Sequence, residues 1–453
     1  MRLGPAQLLI SLFLACVDPA QAPAPPPPAP APTPTQRLST ADDEFLEDLS
    51  RRSFQYFLEQ TGPETGLVLD RARTDASPHD EHHRTVGSIA ATGFGLTALC
   101  IGADRGWLSR DEAKERVRKT LDFFAERAFH KRGWFYHWLD VHTGERRWQS
   151  EISSIDTALL LAGILTCRQY FNEDKQIVDQ ATHIFQRVDF RWMLNRHPTL
   201  LSHGWYPETG FIKHRWDSYS EHTMLYLMGL GSRSHPLRAE SWRAWKRDAN
   251  EYAGYSFIGR APLFTHQYSH AWVDFRSRAE TGNGAVDYFA NSIAATRAHR
   301  QFCLDLRNQF PSYSEDLWGI TASDSVYGYV AWGGPPLYGP IDGTIVPCAA
   351  AGSLMFTPDI SVAALRAIRE RFGDRVYGRY GFVDAFNPAT GWTGPDVIGI
   401  DIGITLLSAE NLRTGRVWRW FMANPEIQRG LERAGVRPVR LLAPAAKGQT
   451  TTR

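Results

Sequence analysis

The chain has 453 residues, enough for one large domain or two to three domains of average size. Lys and Arg number 50 and Asp and Glu number 49, so the formal net charge is +1, which argues against a nucleic-acid-binding protein with its usual basic excess. Hydrophobic residues make up 43% of the chain and charged residues 22%, which excludes a wholly disordered protein.

The N-terminal segment is predicted to direct export. Leu8–Ala15 is an apolar run of the length of a signal-peptide core, too short to span a bilayer. Cys16 follows a small residue, as in bacterial lipoprotein signals, so we expect a signal peptide over residues 1–16 and lipidation of Cys16. Ordinary cleavage near Ala22 is the alternative, and both readings export the protein.

A proline-rich segment follows the signal. Ten of the 27 prolines lie in the first 36 residues, so residues 17–40 are predicted to form a stiff linker without a core. With an anchor at Cys16, such a linker would hold a domain away from a membrane. We therefore expect a periplasmic protein or an outer-membrane lipoprotein, with residues 436–453 forming a polar tail.

Residues 41–435 are predicted to form one helical domain. Apolar residues recur at helical spacing, and the segments 86–101 and 153–171 are apolar almost all round, as buried helices are. In chain order, the predicted helices are 42–60, 86–101, 109–129, 153–171, 173–194, 221–230, 236–249, 285–310, 360–372, 402–412 and 415–422.

The alternation of buried and amphipathic helices predicts an all-α toroid, with two concentric rings of helices around a central cavity. Long connections rich in Gly, Trp and Tyr, such as 254–283 and 313–347, are expected at one end of the cavity, where loops of this length are usually functional. Nucleotide-binding glycine motifs are absent from the sequence, so we expect no nucleotide cofactor.

Four carboxylates are the candidate catalytic groups. Glu151 and Asp156 lie at a predicted helix start, where a capping box with Ser153 is the alternative role for the acids. Glu221 lies among aromatic and polar residues, and here too a capping box, with Ser218, is available.

Asp401 is the fourth and sharpest candidate, because it lies among four isoleucines in the segment 398–404. A charge in such surroundings is costly unless it is paired or used, and desolvation would raise its pKa toward that of a general acid or base. The alternative is a buried ion pair with Arg276 or Arg278.

The 15 tryptophans provide flat faces suited to sugar rings, although large helical proteins also use Trp in their cores. Together with nearby Tyr and His side chains, they supply the candidate substrate-binding residues: Trp138, Trp148, Trp216, Tyr219, His222, His266, Tyr268, His270, Trp272, Trp332 and Trp392. Two carboxylates across a cavity lined in this way are the parts needed for glycosidic cleavage.

Metal binding is a weaker interpretation. The segment 79–83 contains three histidines and two acids, but it is predicted to be a polar loop. His266 and His270 have the spacing of a zinc helix, but Gln267 replaces the glutamate of a zinc protease, and Pro262 and Phe264 indicate a loop. We expect no metal and no other cofactor.

Several motifs, in order along residues 40–435, resemble the glucoamylase-like domain family, which includes the β-1,2-glucanases of glycoside hydrolase family 144. The segments that carry the resemblance are Gly133–Trp138, Ser150–Leu160, Tyr219–His222, Phe264–His270, Tyr288–Ser292, Ser314–Gly319 and Ile400–Gly403.

The resemblance implies an (α/α)6 toroid in one domain and hydrolysis of β-1,2-glucan, usually with inversion and without a metal. By the same resemblance, Glu221 and Asp401 match essential acidic positions, assigned as general acid and general base, and Glu151 and Asp156 match acidic positions at the cavity. We expect an endo-acting monomer whose partner is a β-1,2-glucan or oligosaccharide. An exo-acting glucosidase, a transglycosylase and a non-catalytic glycan-binding lipoprotein are the alternatives.

Overall fold

The computed structural model describes residues 38–282, 285–336 and 339–439. The predicted signal peptide, the lipidation site Cys16 and the proline-rich segment up to residue 37 lie outside the described residues, as does the tail from residue 440. Within the described part, no helix is both long and apolar enough to span a membrane.

Helices dominate the domain. The described residues contain fourteen α-helices: α1 Thr40–Glu59, α2 Ile89–Asp104, α3 Arg110–Asp122, α4 Ser154–Tyr170, α5 Lys175–Gln186, α6 Thr223–Gly231, α7 Glu240–Arg243, α8 Tyr268–Trp272, α9 Tyr288–Asp305, α10 Pro347–Ala351, α11 Pro358–Phe372, α12 Gly399–Arg413, α13 Arg416–Met422 and α14 Pro425–Ala434.

Burial divides the helices into an inner and an outer set. Residues Ile89–Gly102 of α2 are all buried, and α4, α6 and α12 are buried along most of their length. By contrast, α3 buries only one stripe, formed by Ala113, Val117, Thr120 and Leu121. The inner helices need a second layer to cover them, and the amphipathic helices supply it. The fold is the predicted all-α toroid.

Two glycines allow the inner helices α2 and α4 to pack backbone against backbone. A Cβ atom at Gly163 would lie 2.1 Å from the Gly93 carbonyl oxygen, and a Cβ atom at Gly93 would lie 2.1 Å from the Leu159 carbonyl oxygen. Any larger residue would force the helices apart. The apolar character predicted for these two segments therefore reflects a close helix pair.

Short antiparallel strands connect the helices. They are β1 Val68–Leu69, β2 Arg71–Arg73, β3 Val86–Ser88, β4 His130–Lys131, β5 Trp134–Phe135, β6 Trp138–Asp140, β7 Ile152–Ser153, β8 Gly204–Tyr206, β9 Gly210–Phe211, β10 Ala249–Tyr252, β11 Tyr255–Ile258, β12 Arg278–Glu280, β13 Ser323–Ser325, β14 Gly328–Val330, β15 Tyr377–Gly378, β16 Gly381–Phe382, β17 Phe386–Asn387, β18 Trp392–Thr393, β19 Asp396–Ile398 and β20 Val436–Pro438.

Three of these strands run directly into inner helices: β3 into α2, β7 into α4 and β19 into α12. Ser88 and Ser153 end the first two strands and cap the helices that follow by accepting hydrogen bonds from their first-turn backbone N–H groups. The strands therefore fix the N-terminal ends of the inner helices, where the candidate carboxylates lie.

The structure differs from the sequence predictions in several elements. The predicted helix 236–249 is helical only at Glu240–Arg243, and the loop predicted around His266 contains a 3-10 turn followed by α8. Helix α14 was not among the predicted helices; its Gly430 packs against α6, where a Cβ atom would lie 2.2 Å from the Leu227 carbonyl oxygen. β20 pairs with β12, so the folded chain continues past residue 435.

The contact between α2 and α4 leads to a stability prediction. Gly163→Ala should lower the free energy of unfolding by about 1–3 kcal/mol, because the new methyl group overpacks the helix pair. Urea unfolding followed by circular dichroism measures this change. Gly378→Ala is the matched control, since a Cβ atom there has only the Thr74 carbonyl oxygen nearby, at 3.7 Å. Equal unfolding midpoints for the two variants would contradict the close packing.

Candidate active site

Glu221 lies two residues before α6 and is buried. The Ser220 hydroxyl donates a hydrogen bond to its carboxylate, and the Ser269 hydroxyl donates to its backbone carbonyl. Burial raises the pKa of Glu221, and the negative charge of Asp156 raises it further. The considered capping box is not formed, because α6 begins at Thr223. Glu221 is therefore a carboxyl group that keeps its proton to higher pH than an exposed glutamate does.

Asp401 lies in the first turn of α12, with 5% of its surface exposed. The Tyr268 hydroxyl donates to its Oδ1 at 3.4 Å, and the Cys348 thiol also donates to its carboxylate. Burial raises the pKa of Asp401 to about 6. Arg276, considered as an ion-pair partner, pairs instead with Asp274 at 2.9 Å. Asp401 thus has a pKa suited to proton exchange near neutrality.

Asp384 is a buried carboxyl group that the sequence analysis missed. Its Oδ2 accepts a hydrogen bond from the Asp324 backbone N–H at 2.6 Å, and its side chain hydrogen-bonds to Asp401. Burial, together with the charge of Asp401, raises the pKa of Asp384 well above the usual range. The signal was present, because Asp384 is an acid among apolar residues in the segment 382–386, as Asp401 is in its own segment.

Glu151 and Asp156 are joined by His137, another residue that the sequence analysis did not select. His137 Nδ1 lies 3.0 Å from Glu151 Oε1, and Nε2 lies 3.4 Å from Asp156 Oδ1. Burial lowers the pKa of His137, but the charges of Asp156 and Glu151 outweigh that effect, so the pKa is raised overall. The three side chains form an ion-paired cluster at the start of α4.

Asp156 also forms the capping arrangement that was considered for it. Its backbone N–H donates to Ser153 Oγ at 3.2 Å, and the Ser153 hydroxyl donates back to Asp156 Oδ2 at 2.5 Å. Asp156 therefore serves both the helix end and the cluster. Burial raises its pKa.

Tyr268 links the regions of Glu221 and Asp401. It is buried in α8, and burial raises the pKa of its hydroxyl well above the usual range; the charges of Asp401 and Glu221 both contribute to the shift. The negative charge of Asp156 likewise raises the pKa of Glu221. The ends of α4, α6 and α12 therefore bring the four predicted carboxylates into one electrostatic neighbourhood.

Trp138 and Trp148 form a partly exposed aromatic wall beside this cluster. The ring of Trp138 stacks on His137, with centroids 3.6 Å apart and planes 11° apart, and the Trp148 ring lies 5.2 Å from it. Trp138 Nε1 donates to Asp70 Oδ1 at 3.4 Å. These two rings retain exposed surface next to the carboxylates, as the sugar-binding prediction requires.

Four other predicted sugar contacts lie in the packed interior. Trp272 has no exposed surface and donates to Thr97 Oγ1 at 3.0 Å, and His270 Nε2 lies 3.1 Å from Ser292 Oγ. Burial lowers the pKa of His222 and of His266 to about 3 in each case, so these rings are neutral. These four side chains are buried, and their sugar contacts stay predictions.

The remaining aromatic candidates keep a small exposed surface, like Asp401 itself, and their sugar contacts stay predictions. They are Trp216, which stacks on His203 and donates to Ser154 Oγ; Tyr219, beside His266; Tyr268; Trp332, which donates to Ser323 Oγ; and Trp392 in β18.

Two groups of side chains have the spacing of cation ligands: His79 with Asp80 and His83, and His137 with Glu151 and Asp156. In the first group, His79 Nε2 lies 2.9 Å from Asp396 Oδ2. In the second, the histidine already joins the two carboxylates. The absence of a metal requirement stays a prediction.

Comparison with known proteins supports the resemblance seen in the sequence. Residues 213–425 match the model of the Glycoamylase family, which describes glucoamylase-type proteins. Over 431 residues, the chain is 27% identical to the exo β-1,2-glucooligosaccharide sophorohydrolase (non-reducing end) of Parabacteroides distasonis. This match covers 86% of the chain but only 58% of the relative, so the chain spans little more than half the length of that enzyme.

Solved structures agree with this assignment. The endo-β-1,2-glucanase from Chitinophaga pinensis, in complex with sophorotriose and glucose, has a TM-score of 0.81 and 28% identity over 88% of this chain and 99% of that one. The β-1,2-glucanase from Parabacteroides distasonis has a TM-score of 0.80 and 26% identity over 87% of this chain and 60% of that one. These matches confirm the predicted resemblance and the predicted fold.

The His137 cluster can be tested without an assay of activity. In Glu151→Gln, the pKa of His137 should fall, because the variant loses a negative charge that favours the protonated ring. The titration of labelled histidine, followed by NMR, measures this pKa. Glu145→Gln removes an exposed carboxylate from the same part of the chain and should leave the His137 pKa unchanged. A fall of the same size in both variants would show that the Glu151 contact has no special effect.

Proposed function

We propose that the chain is an endo-acting glycoside hydrolase of β-1,2-glucan, with Glu221 as general acid and Asp401 as general base. The observation that carries the proposal is the pair of buried carboxyl groups at the starts of α6 and α12, both acting on Tyr268. Relatives named for β-1,2-glucan hydrolysis support the choice of substrate.

The two carboxyl groups are suited to different roles. Glu221 is buried and accepts a hydrogen bond from the Ser220 hydroxyl, and its raised pKa keeps a proton available for the oxygen of the leaving sugar. Asp401 ionises above about pH 6 and can then take a proton from the attacking water. This division gives hydrolysis with inversion, in which water attacks the face opposite the leaving group.

The endo mode is supported by the endo-β-1,2-glucanase from Chitinophaga pinensis, to which the chain is 28% identical over 88% of its length. The exo-acting sophorohydrolase is 27% identical over 86% of the chain, so exo action is the alternative that the product analysis below distinguishes.

The surface near the site suits a neutral polymer. Trp138 and Trp148 present partly exposed rings beside the carboxylates, and the formal net charge of +1 provides no strong field to attract an ionic substrate. Stacking and hydrogen bonding would then supply most of the binding energy for glucose units.

The proposal includes export of the protein from the cytoplasm. The apolar run Leu8–Ala15, followed by Cys16 and a proline-rich segment, supports a lipoprotein signal that would place the hydrolase in the periplasm or on the outer membrane. A polymeric glucan would be met in such a compartment before it is taken up as smaller products.

Activity of the two principal variants tests the catalytic assignment. Glu221→Gln and Asp401→Asn should each lower kcat on linear β-1,2-glucan by about 10²–10⁴-fold, because each removes a proton-transfer group. Reducing ends released by the purified domain measure the rate. Glu208→Gln removes an exposed carboxylate and should behave as wild type. Wild-type inactivity on this glucan, or full activity of Glu221→Gln, would overturn the proposal.

The pH profile tests the role of Asp401. Because Asp401 must be ionised to act as base, kcat/KM should rise with pH through a midpoint near pH 6 and fall again as Glu221 loses its proton. A profile that declines from pH 5 upward would assign the acid role to Asp401. Product lengths and the anomer formed first, followed by NMR, report the mode: mixed lengths with the α-anomer fit an inverting endo enzyme, whereas sophorose alone indicates exo action.

A further inference from the structure

Asp384 and Asp401 share a contact that requires a proton. Among the described residues, Asp384 Oδ1 and Asp401 Oδ2 are both buried with no donor placed against them, and the two residues line one small cavity. Their side chains are close enough to share a hydrogen bond. Two ionised carboxylates in contact and out of water would repel strongly. One of the two groups is therefore protonated and donates to the other.

The surrounding donors indicate which group is the anion. Asp401 accepts hydrogen bonds from the Tyr268 hydroxyl and the Cys348 thiol in addition to the contact with Asp384. The other oxygen of Asp384 accepts a single backbone N–H, from Asp324. An ionised carboxylate is stabilised by each donor that it faces, so Asp401, with two side-chain donors besides the shared proton, is the better place for the charge.

We propose that Asp384 is a positioning residue that holds the shared proton and donates it as a hydrogen bond to Asp401. The donated bond keeps Asp401 ionised in an apolar site and fixes the orientation of its carboxylate toward the attacking water. This inference rests on the proposed function, in which Asp401 is the general base.

Other ionisable groups surround the pair and enter any pH argument. Arg71 in β2 lies 2.9 Å from Asp324 Oδ2 and neutralises that neighbouring charge. The groups that act on the pair or respond to it are Asp324 in β13, Tyr329 in β14, Tyr268 in α8 and Cys348 in α10, and Asp70 before β2 acts on Asp324 and Tyr329. None of these residues is replaced in the two variants below, so a change in the pH profile reports on Asp384.

The test compares two variants at position 384. An Asn side chain offers the same hydrogen-bonding groups as a protonated carboxyl group: an N–H that donates to Asp401 and an oxygen that accepts from the Asp324 backbone N–H. Asp384→Asn should therefore retain most of kcat and an acid limb close to that of wild type. In Asp384→Ala the donor is lost, so the acid limb of kcat/KM should move up by about one to two pH units, with little change in KM. Asp374→Asn, in an exposed turn, is the control.

Each outcome decides the inference. A shift of the acid limb to lower pH in Asp384→Asn would show that Asp384 is the anion and Asp401 the proton donor. An unchanged profile in Asp384→Ala would show that Asp384 does not act on Asp401. Wild-type inactivity on β-1,2-glucan would instead contradict the proposed function.

A second measurement does not depend on activity. At pH 7 the wild-type-minus-Asp384→Asn difference infrared spectrum should contain the carbonyl stretch of a protonated carboxyl group, because Asp384 contributes one such band and any band of Glu221 is common to both proteins. A difference spectrum of the folded proteins that lacks this band would overturn the assignment of the proton to Asp384.

Discussion

Burial of carboxyl groups at the ends of tightly packed helices is the constraint on which the site depends. The inner helices α2 and α4 touch through Gly93 and Gly163, and the inner helices α4, α6 and α12 are buried together with the acids at or just before their N-terminal ends. Desolvation raises the pKa values of Glu221 and Asp401, and without it both groups would be ionised and unsuited to divided roles. Helix packing and acid chemistry therefore have a common cause.

The same helix ends limit the cost of that burial. Asp156 and Asp401 lie in the first turns of α4 and α12, where exposed backbone N–H groups and the helix dipole favour negative charge. At α4 the capping role and the proposed chemical role coincide in one residue, since Asp156 both binds Ser153 and faces His137. At Asp156, helix capping and a place in the candidate site are therefore compatible roles.

Much of the fold could be predicted because burial leaves a strong periodic signal in long helices such as α2, α4 and α5. Short elements could not be predicted in this way. Helix α8 has five residues, and its start is determined by contacts of Ser269 with Glu221 and of Trp272 with Thr97 that lie far away in sequence. A pattern of that length carries too little information to separate a helical turn from a loop.

The candidate site divides in the same way, into residues that the sequence could reveal and contacts that it could not. Glu221 and Asp401 could be found because an acid among apolar or aromatic residues is costly, and that cost is visible in the sequence. The partner relations could not be found, because Asp384 meets Asp401 only after the chain has folded, and His137 joins Glu151 to Asp156 across a strand pair.

The roles of the aromatic residues, by contrast, could not be predicted from their neighbours in sequence. A tryptophan near a motif can serve equally well as core or as ligand surface, and only exposure separates them: Trp138 keeps a free face beside the acids, whereas Trp272 lies wholly within the protein. An acid among apolar residues is thus a candidate from its neighbours in sequence, but the use of an aromatic ring depends on which side of it the fold leaves exposed. The protonation of Asp401 still depends on Asp384 and Tyr268, so tertiary packing determines both the proton chemistry and the surface that the aromatic rings present.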